Sequence, residues 1–328
     1  MFNNFVNIDD LLALIKRGPK VFTEITSRMM LAKKERVKAA WAHTCNAPKN
    51  WWDIPSVRTR WNRLISGDPQ VDYYQFISQK YLANRNSLCA LSLGCGTGHK
   101  ELRWAQTGKF SCIEAYDLSY PSIQDAINIA KQKGCDNIIN YYVGDVYGIE
   151  VRKNYYDVVM GEQSLHHFSP LEGILLRVSE FLKPDGYFVI NEFVGPTRFQ
   201  WTDRQLEAVN GLLSVLPAKY KTLWGSKSIK QKVFRPSRIR MILHDPSEAV
   251  ESSKMYPMIR RIFEVVDTRE YGGTILQLLF NGIAHNFLSE DAETQHWLNV
   301  CFEIEDRLLA NREIQSDFIV AVCKKRSH

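Results

Sequence analysis

The chain reads as an α/β protein: a doubly wound, mostly parallel seven-stranded sheet with helices on both faces and a helical cap. Three observations predict this class. The stretch Leu88 to Glu101, L-C-A-L-S-L-G-C-G-T-G-H-K-E, passes from an apolar run through Gly94, Gly96 and Gly98 into a helix-compatible segment. Strand, glycine turn and helix, in that order, aim helix N–H groups at a ligand. Strand and helix signals then alternate from 88 to 195, as in a parallel sheet covered on both faces. Finally, the segments outside that alternation carry helical periodicity, which is material for a cap.

The elements follow in order. Residues 9–45 read as two helices separated by Gly18-Pro19, with a basic run at Lys33, Lys34, Arg36 and Lys38 that suits a solvated face. The stretch W-W-D-I-P-S-V-R-T-R-W has aromatic anchors that could line a pocket or dock these helices on the core. Val71 to Leu82 is a further helix. Strands are expected at Leu88–Leu93, Ser111–Asp117, Ile138–Val143, Tyr156–Gly161, Tyr187–Val194, Ile262–Glu270 and Phe318–Cys323. Ser119 with Pro121 opens one intervening helix and Gly134 closes it. Ser169-Pro170-Leu171-Glu172 has the form of a capping box for the next, and Thr202-Asp203-Arg204-Gln205 for another. Asp245-Pro246-Ser247-Glu248 reads as a helix start, and two helical segments are expected at about 274–288 and 292–310.

A chain of 328 residues suits a core domain with additions, at roughly 100–200 residues per domain. The expected division is an N-terminal helical extension at 1–85, a ligand-binding core at 86–195, a cap insertion at 196–245, and the rest of the core at 246–328 with a helical insertion at about 274–312. With 45% hydrophobic and 24% charged residues the composition is that of a soluble globular protein. A net charge of +6 is too mild to mark a nucleic-acid binder. Seven cysteines include no C-x-x-C pair, so neither a disulfide scaffold nor a metal site is expected. The N-terminus lacks a secretory pattern, and no apolar run approaches the roughly 18–20 residues of a membrane span. The expected location is cytoplasmic.

In open parallel sheets ligands sit beyond the carboxyl ends of the strands. The first strand ends in the glycine turn and the second in Asp117, which can accept two ribose hydroxyls. The third ends in Gly144-Asp145-Val146, where Asp145 can accept an exocyclic amine and Val146 can pack on a ring, or Asp145 can simply be a solvated turn residue. The fourth ends in Glu162-Gln163-Ser164-Leu165-His166-His167 and the fifth in Asn191-Glu192-Phe193. The nicotinamide fingerprint G-x-G-x-x-G fails at His99, and no phosphate-loop Lys-Ser/Thr pair follows.

These residues resemble the class I S-adenosylmethionine-dependent methyltransferases. The likeness rests on L-S-L-G-C-G-T-G, Asp117, Asp145, L-H-H after the fourth strand and K-P-D-G-Y-F-V-I-N-E-F, and covers about residues 88–195. It implies a Rossmann-like fold with S-adenosylmethionine as cofactor. It places Gly94, Cys95, Gly96 and Gly98 around the methionine part, Asp117 and Leu118 at the ribose, Asp145 and Val146 at the adenine, and Glu162 nearby. Many members carry an acidic residue where this chain has Ser92, which can hydrogen-bond but brings no charge.

For the transfer itself, His166 and His167 are the candidate bases, since imidazole titrates near neutral pH; alternatively one caps a helix and the other packs. Glu162 and Glu192 are second choices, for positioning an acceptor. No N-P-P-Y-like or Pro-Cys segment follows the fourth strand, which disfavours DNA bases. An aromatic-rich cap suits a small or medium-sized organic acceptor in an enclosed pocket. The basic stretch from Lys227 to Arg240 could hold an anionic group of that substrate, or be a solvated loop. The expectation is O-methylation of a small molecule, with an RNA or protein acceptor, or a non-catalytic cofactor-binding regulator, as alternatives.

Overall fold

The computed structural model describes residues 50–326; the helices expected at 9–45 lie outside the described residues. Helices α1 (Pro55–Ser66) and α2 (Tyr73–Tyr81) lead into β1 (Leu88–Leu93), α3 (His99–Ala105), β2 (Phe110–Asp117), α4 (Tyr120–Gln132), β3 (Ile139–Val143), β4 (Tyr156–Glu162), α5 (Leu171–Phe181) and β5 (Leu182–Phe193). Then come α6 (Asp203–Val215), α7 (Arg238–His244), α8 (Ser252–Ile262), β6 (Phe263–Gly272), α9 (Leu276–Phe280), α10 (Ala292–Ala310) and β7 (Phe318–Lys325).

The seven strands form one sheet in the order β3-β2-β1-β4-β5-β7-β6. Strands β1 to β5 are parallel and β7 runs antiparallel to both β5 and β6. The chain winds outward from β1 to β3, then returns to lay β4 on the other side of β1. The strand order therefore reverses between β1 and β4, the position at which open α/β sheets bind ligands beyond the carboxyl ends of their strands.

Side-chain alternation fills two cores, one on each face. Ala90, Val158 and Met160 join Trp104, Phe110 and Ile113 on one face; Leu91, Tyr156 and Val159 join Ile174, Val178 and Phe188 on the other. Every residue of β4 is buried, as a central strand covered on both sides requires. The aromatic stretch before α1 docks on the core. Trp51 is buried, with its ring 4.4 Å from Trp61 and 5.1 Å from Phe318, while Trp52 stays exposed.

The expected starts of α4 and α6 hold: Ser119 Oγ accepts from Ser122 N, and Thr202 and Gln205 form a reciprocal capping box. Two others are corrected. Helix α5 begins at Leu171, with no capping bond from its own flank; the Leu171 N–H donates to Glu251 Oε2 at 2.7 Å, a carboxylate brought from the entry of α8. Asp245-Pro246-Ser247-Glu248 starts no helix. Asp245 Oδ1 accepts from Ser247 N at 2.8 Å and Ser247 Oγ at 2.6 Å, closing a local turn, and α8 starts only at Ser252. Asp and Ser favour such turns for the same reason that they favour helix caps. Strand β5 also begins early, since Leu182 already pairs with Tyr156, and the segment expected at 274–288 is split into α9 and a short 3-10 turn at Ala284–Phe287. No helix among the described residues is long and apolar enough to cross a membrane.

Helices α1 and α10 are joined by a buried charge pair. Arg60 Nη1 stands 3.1 Å from Glu305 Oε2, and Glu305 Oε1 accepts from Ile275 N at 2.9 Å. Both side chains are almost wholly buried. Arg60 Nη2 also pairs with Asp306 Oδ1, so removing Glu305 leaves the guanidinium partly compensated, and Glu305→Ala is expected to lower unfolding stability by about 1–3 kcal/mol in urea denaturation. A loss below about 1 kcal/mol would mean that Asp306 alone holds the Arg60 charge.

Candidate active site at the strand-order reversal

The glycine turn follows β1, and Gly94, Gly96 and Gly98 all have positive φ. Their reasons for being glycine differ. A Cβ on Gly94 would lie 2.7 Å from Ser164 Cβ, and one on Gly98 would lie 2.9 Å from Ala126 Cβ and hard against the Tyr141 ring. Both are forced by close packing. A Cβ on Gly96 would meet nothing within 4 Å, so there the backbone, at φ 56°, borders open space. The Gly96 N–H donates to Asp117 Oδ2 at 2.8 Å, and Ser119 N–H donates to Oδ1 at 2.8 Å. A carboxylate offers about four acceptor positions, so half-buried Asp117 holds the loop and keeps capacity for ribose hydroxyls. The turn thus has the open backbone face and the acceptor that a nucleoside cofactor needs.

Leu118 and Asp145 are half-buried at the neighbouring strand ends, and Asp145 Oδ1 accepts from Tyr147 N at 3.1 Å. Val146 is turned inward, 5% exposed, into the apolar cluster with Leu91 and Ile149, and Cys95 is also buried. Glu162 is drawn inward too. Its carboxylate accepts from Tyr73 Oη and from Trp104 Nε1, and Lys100 Nζ donates to its backbone carbonyl. Burial pushes its pKa above the ordinary carboxylate range. It ties α2 and α3 to the end of β4, a duty its sequence position did not reveal.

One residue escaped the sequence reading. Glu101, in the first turn of α3, is 1% exposed, and its Oε1 accepts from Ser92 Oγ at 2.5 Å. The carboxyl group missing at Ser92 is supplied nine residues later, by Glu101 at the start of α3. Burial raises the Glu101 pKa to about 7, opposed by nearby Lys100 and the Ser92 hydroxyl. The only available signal was an acidic residue in a first helical turn.

The turn after β4 carries the histidines. Gln163 adopts φ 50°, a strained value for a side-chain-bearing residue, and sends Ser164 and Leu165 back toward β5. There Glu192, fully buried, accepts from the N–H groups of Ser164 and Leu165 on Oε1 and from Phe193 N at 3.1 Å on Oε2. His166 Nδ1 lies 2.6 Å from the same Oε2. Ser164 Oγ donates to Leu93 O at 2.6 Å, which locks this turn onto the glycine turn. From the 196–251 segment, Ser247 Oγ stands 3.2 Å from His167 Nδ1, and Glu248 Oε1 stands 3.6 Å from His166 Nε2. The two rings are 4.1 Å apart between centroids.

Their environments separate their titrations. Burial alone would lower the His166 pKa, but the Glu192 carboxylate more than offsets it, and the value lies above that of an ordinary histidine. His167 is held well below it by burial and by the charges of His166 and Lys100. Titratable groups pushed apart in this way are a mark of acid–base sites.

Two residues of the basic stretch are used for structure. Lys230 Nζ donates to the carbonyls of Leu278, Leu279 and Asn281, and Arg235 reaches Trp201 O and Asp203.

A family model described as a methyltransferase domain matches residues 85–261. A protein-lysine N-methyltransferase of Saccharomyces cerevisiae is 27% identical over 157 residues, 44% of this chain and 62% of its own length. A ubiquinone biosynthesis O-methyltransferase of Rickettsia canadensis is 25% identical over 203 residues, 60% of this chain and 79% of its own. The match to the yeast relative thus spans less than two thirds of that protein. Among solved structures, a geranyl diphosphate C-methyltransferase from Streptomyces coelicolor A3(2) has a TM-score of 0.51 at 12% identity, covering 90% of this chain and 99% of that one, a likeness of fold.

The raised Glu101 pKa has a signed consequence. A carboxyl with a folded-state pKa of about 7, against an ordinary value of 4.5, binds its proton more tightly when folded. Stability is therefore greatest below about pH 4.5 for this group and falls as pH rises through 7. Relative to Glu101→Gln, the wild-type chain is expected to lose of the order of 3 kcal/mol between pH 4.5 and 8 in denaturant titrations. A difference that does not change with pH would show that Glu101 is ionised and fully compensated in the fold.

Proposed function

We propose, since this chain belongs to the methyltransferase-domain family, that it is an S-adenosylmethionine-dependent methyltransferase acting on an oxygen atom of a small or medium-sized organic acceptor. The observation that carries this reading is the contact between the glycine turn and the histidine turn. It supports a reading in which the proposed cofactor cradle and the proposed acid–base pair adjoin.

When bound, S-adenosylmethionine supplies an electrophilic methyl group on a sulfonium. The chain's own residues do the rest. Gly96 lets the backbone lie against the ligand, Asp117 accepts from ribose hydroxyls, and Asp145 faces the adenine side. Gly94, Cys95 and Gly98 shape the turn. The His166–His167 pair removes the proton of the acceptor hydroxyl, with Glu192 orienting His166. Residues 196–251 act as a cap: Ser247 and Glu248 close over the pair, exclude water and fix the acceptor's approach. A groove of about 520 Å³ lined by Thr197, Arg198, Gln200 and Arg238 offers an anionic substrate group its charge partner.

The likeness to a protein-lysine N-methyltransferase supports a second reading, in which a lysine side chain enters the same crevice. Incubation with labelled cofactor and native extract separates them: label in metabolites supports the first, label in protein the second.

Two substitutions test the roles. Asp117→Ala is expected to weaken S-adenosylhomocysteine binding at least about tenfold in calorimetry, the worth of one or two hydrogen bonds to a charged group. Unchanged affinity would remove Asp117 from the cofactor site. His166→Ala is expected to lower kcat by ~10²–10⁴ while S-adenosylhomocysteine affinity is retained. An unchanged kcat would mean that the proton leaves elsewhere.

A further inference from the structure

We propose that His166, His167 and Glu248 form a divalent transition-metal site, with a cation that binds and activates the acceptor's oxygen. No metal is expected from the sequence, because its cysteines form no ligand pattern and Glu248 lies far along the chain from the histidines. The fold brings them together. One ligand atom from each of the three residues lies within 4.8 Å of the others.

The hydrogen bonds around the imidazoles decide what they can do. Glu192 Oε2, at 2.6 Å, accepts from His166 Nδ1–H. Ser247 Oγ gives its own proton to Asp245 Oδ1 at 2.6 Å, so toward His167 Nδ1 it is an acceptor. In the neutral form each ring would then carry hydrogen on Nδ1 and turn the Nε2 lone pair to a cation, which would displace any proton held there. A hydrogen-bonded Nδ1 is the outer-shell arrangement that orients metal-bound histidines. Glu192 and the Asp245–Ser247 pair fill that outer position here.

Spacing agrees. His166 Nε2 and Glu248 Oε1 are 3.6 Å apart, too long for a good hydrogen bond. Two ligands bound at ~2.0–2.2 Å on a tetrahedral ion stand roughly 3.3–3.5 Å apart, close to the distance found. Two imidazoles and one carboxylate suit zinc, cobalt or manganese better than magnesium or calcium. With three protein ligands a fourth position would remain for the acceptor.

This inference rests on the proposed methyl transfer and takes the place of direct proton removal by the histidine pair, whose Nε2 atoms would hold the cation instead. The acceptor hydroxyl takes the fourth position and its pKa falls. Its O–H bond breaks, the electron pair stays on oxygen, and the proton leaves to water.

The test uses the full chain, stripped with a chelator and titrated with Co²⁺. One equivalent is expected to bind, with a visible absorption band of a nitrogen- and oxygen-ligated ion. Glu248→Gln and His167→Ala should each weaken binding by about tenfold or more, with unchanged far-ultraviolet circular dichroism. A titration without the band, or a band that persists unaltered in both variants, overturns the site. S-adenosylhomocysteine calorimetry on the same samples keeps the two readings apart. Cofactor binding without cobalt binding overturns the metal site alone; cobalt binding without cofactor binding supports the site and overturns the methyltransferase reading.

Discussion

The Glu192 carboxylate is the constraint on which the site depends. It is fully buried at the end of β5, and four groups converge on it: three backbone N–H groups and the Nδ1 of His166. An ionised carboxylate removed from water needs this density of donors to be tolerated. In return it fixes the turn after β4, which Gln163 enters with strained backbone. Such strain persists only where the surroundings over-determine it. The same turn is bonded to the last residue of β1 through Ser164. One carboxylate on β5 thus sets the relation between β1, β4 and the histidine ring.

The sheet was legible because its signals are local. Period-two apolar runs, the glycine turn and the caps at Ser119 and Thr202 are each written within a few residues. The errors arose where one local signal serves two structures. Asp245-Pro246-Ser247-Glu248 has the residues of a helix start, and the chain uses them to close a turn that offers Ser247 and Glu248 to the histidines. The site was half legible for the same reason. Asp117, the three glycines and the histidines stand at strand ends in the sequence. Glu248 reaches His166 only through the tertiary path of the 196–251 segment, and no spacing rule encodes that path. Val146 and Glu162 stand at strand ends as well, yet their side chains turn inward, since a strand end gives the position of a residue and not the direction of its side chain.

Glu101 shows how a fold can keep a physical feature while moving its source. Ser92 is uncharged, but its hydroxyl points at a carboxylate carried by the following helix. A charge on β1 would be fixed by the strand alone. A charge on α3 is fixed by the packing of that helix, which depends in turn on Trp104 and Tyr73 meeting Glu162. The glycine turn, α2 and α3 are therefore coupled: disturbing the docking of α2 would be felt under the glycine turn without any contact to a ligand.

The charges around the crevice also bear on what it holds. Glu101, Glu162 and Glu192 are buried around it, Asp117 borders it and Glu248 overhangs it. Against them stand Lys100, whose ammonium is bonded to the Glu162 carbonyl, and the upward-shifted His166. Burial raises the proton affinity of Glu101 and Glu162, and each carboxyl here that is ionised favours a cationic occupant, because fields inside a low-dielectric crevice are weakly screened. A sulfonium bearing an ammonium group is such an occupant, and so is a divalent cation at the histidines. An anionic acceptor would have to keep its charge outside the crevice. The groove beside Arg198 and Arg238 lies on the 196–251 segment, next to the turn that carries Glu248. On the proposed reading the two tasks are separate: the crevice would select the positive donor, and the 196–251 segment the acceptor.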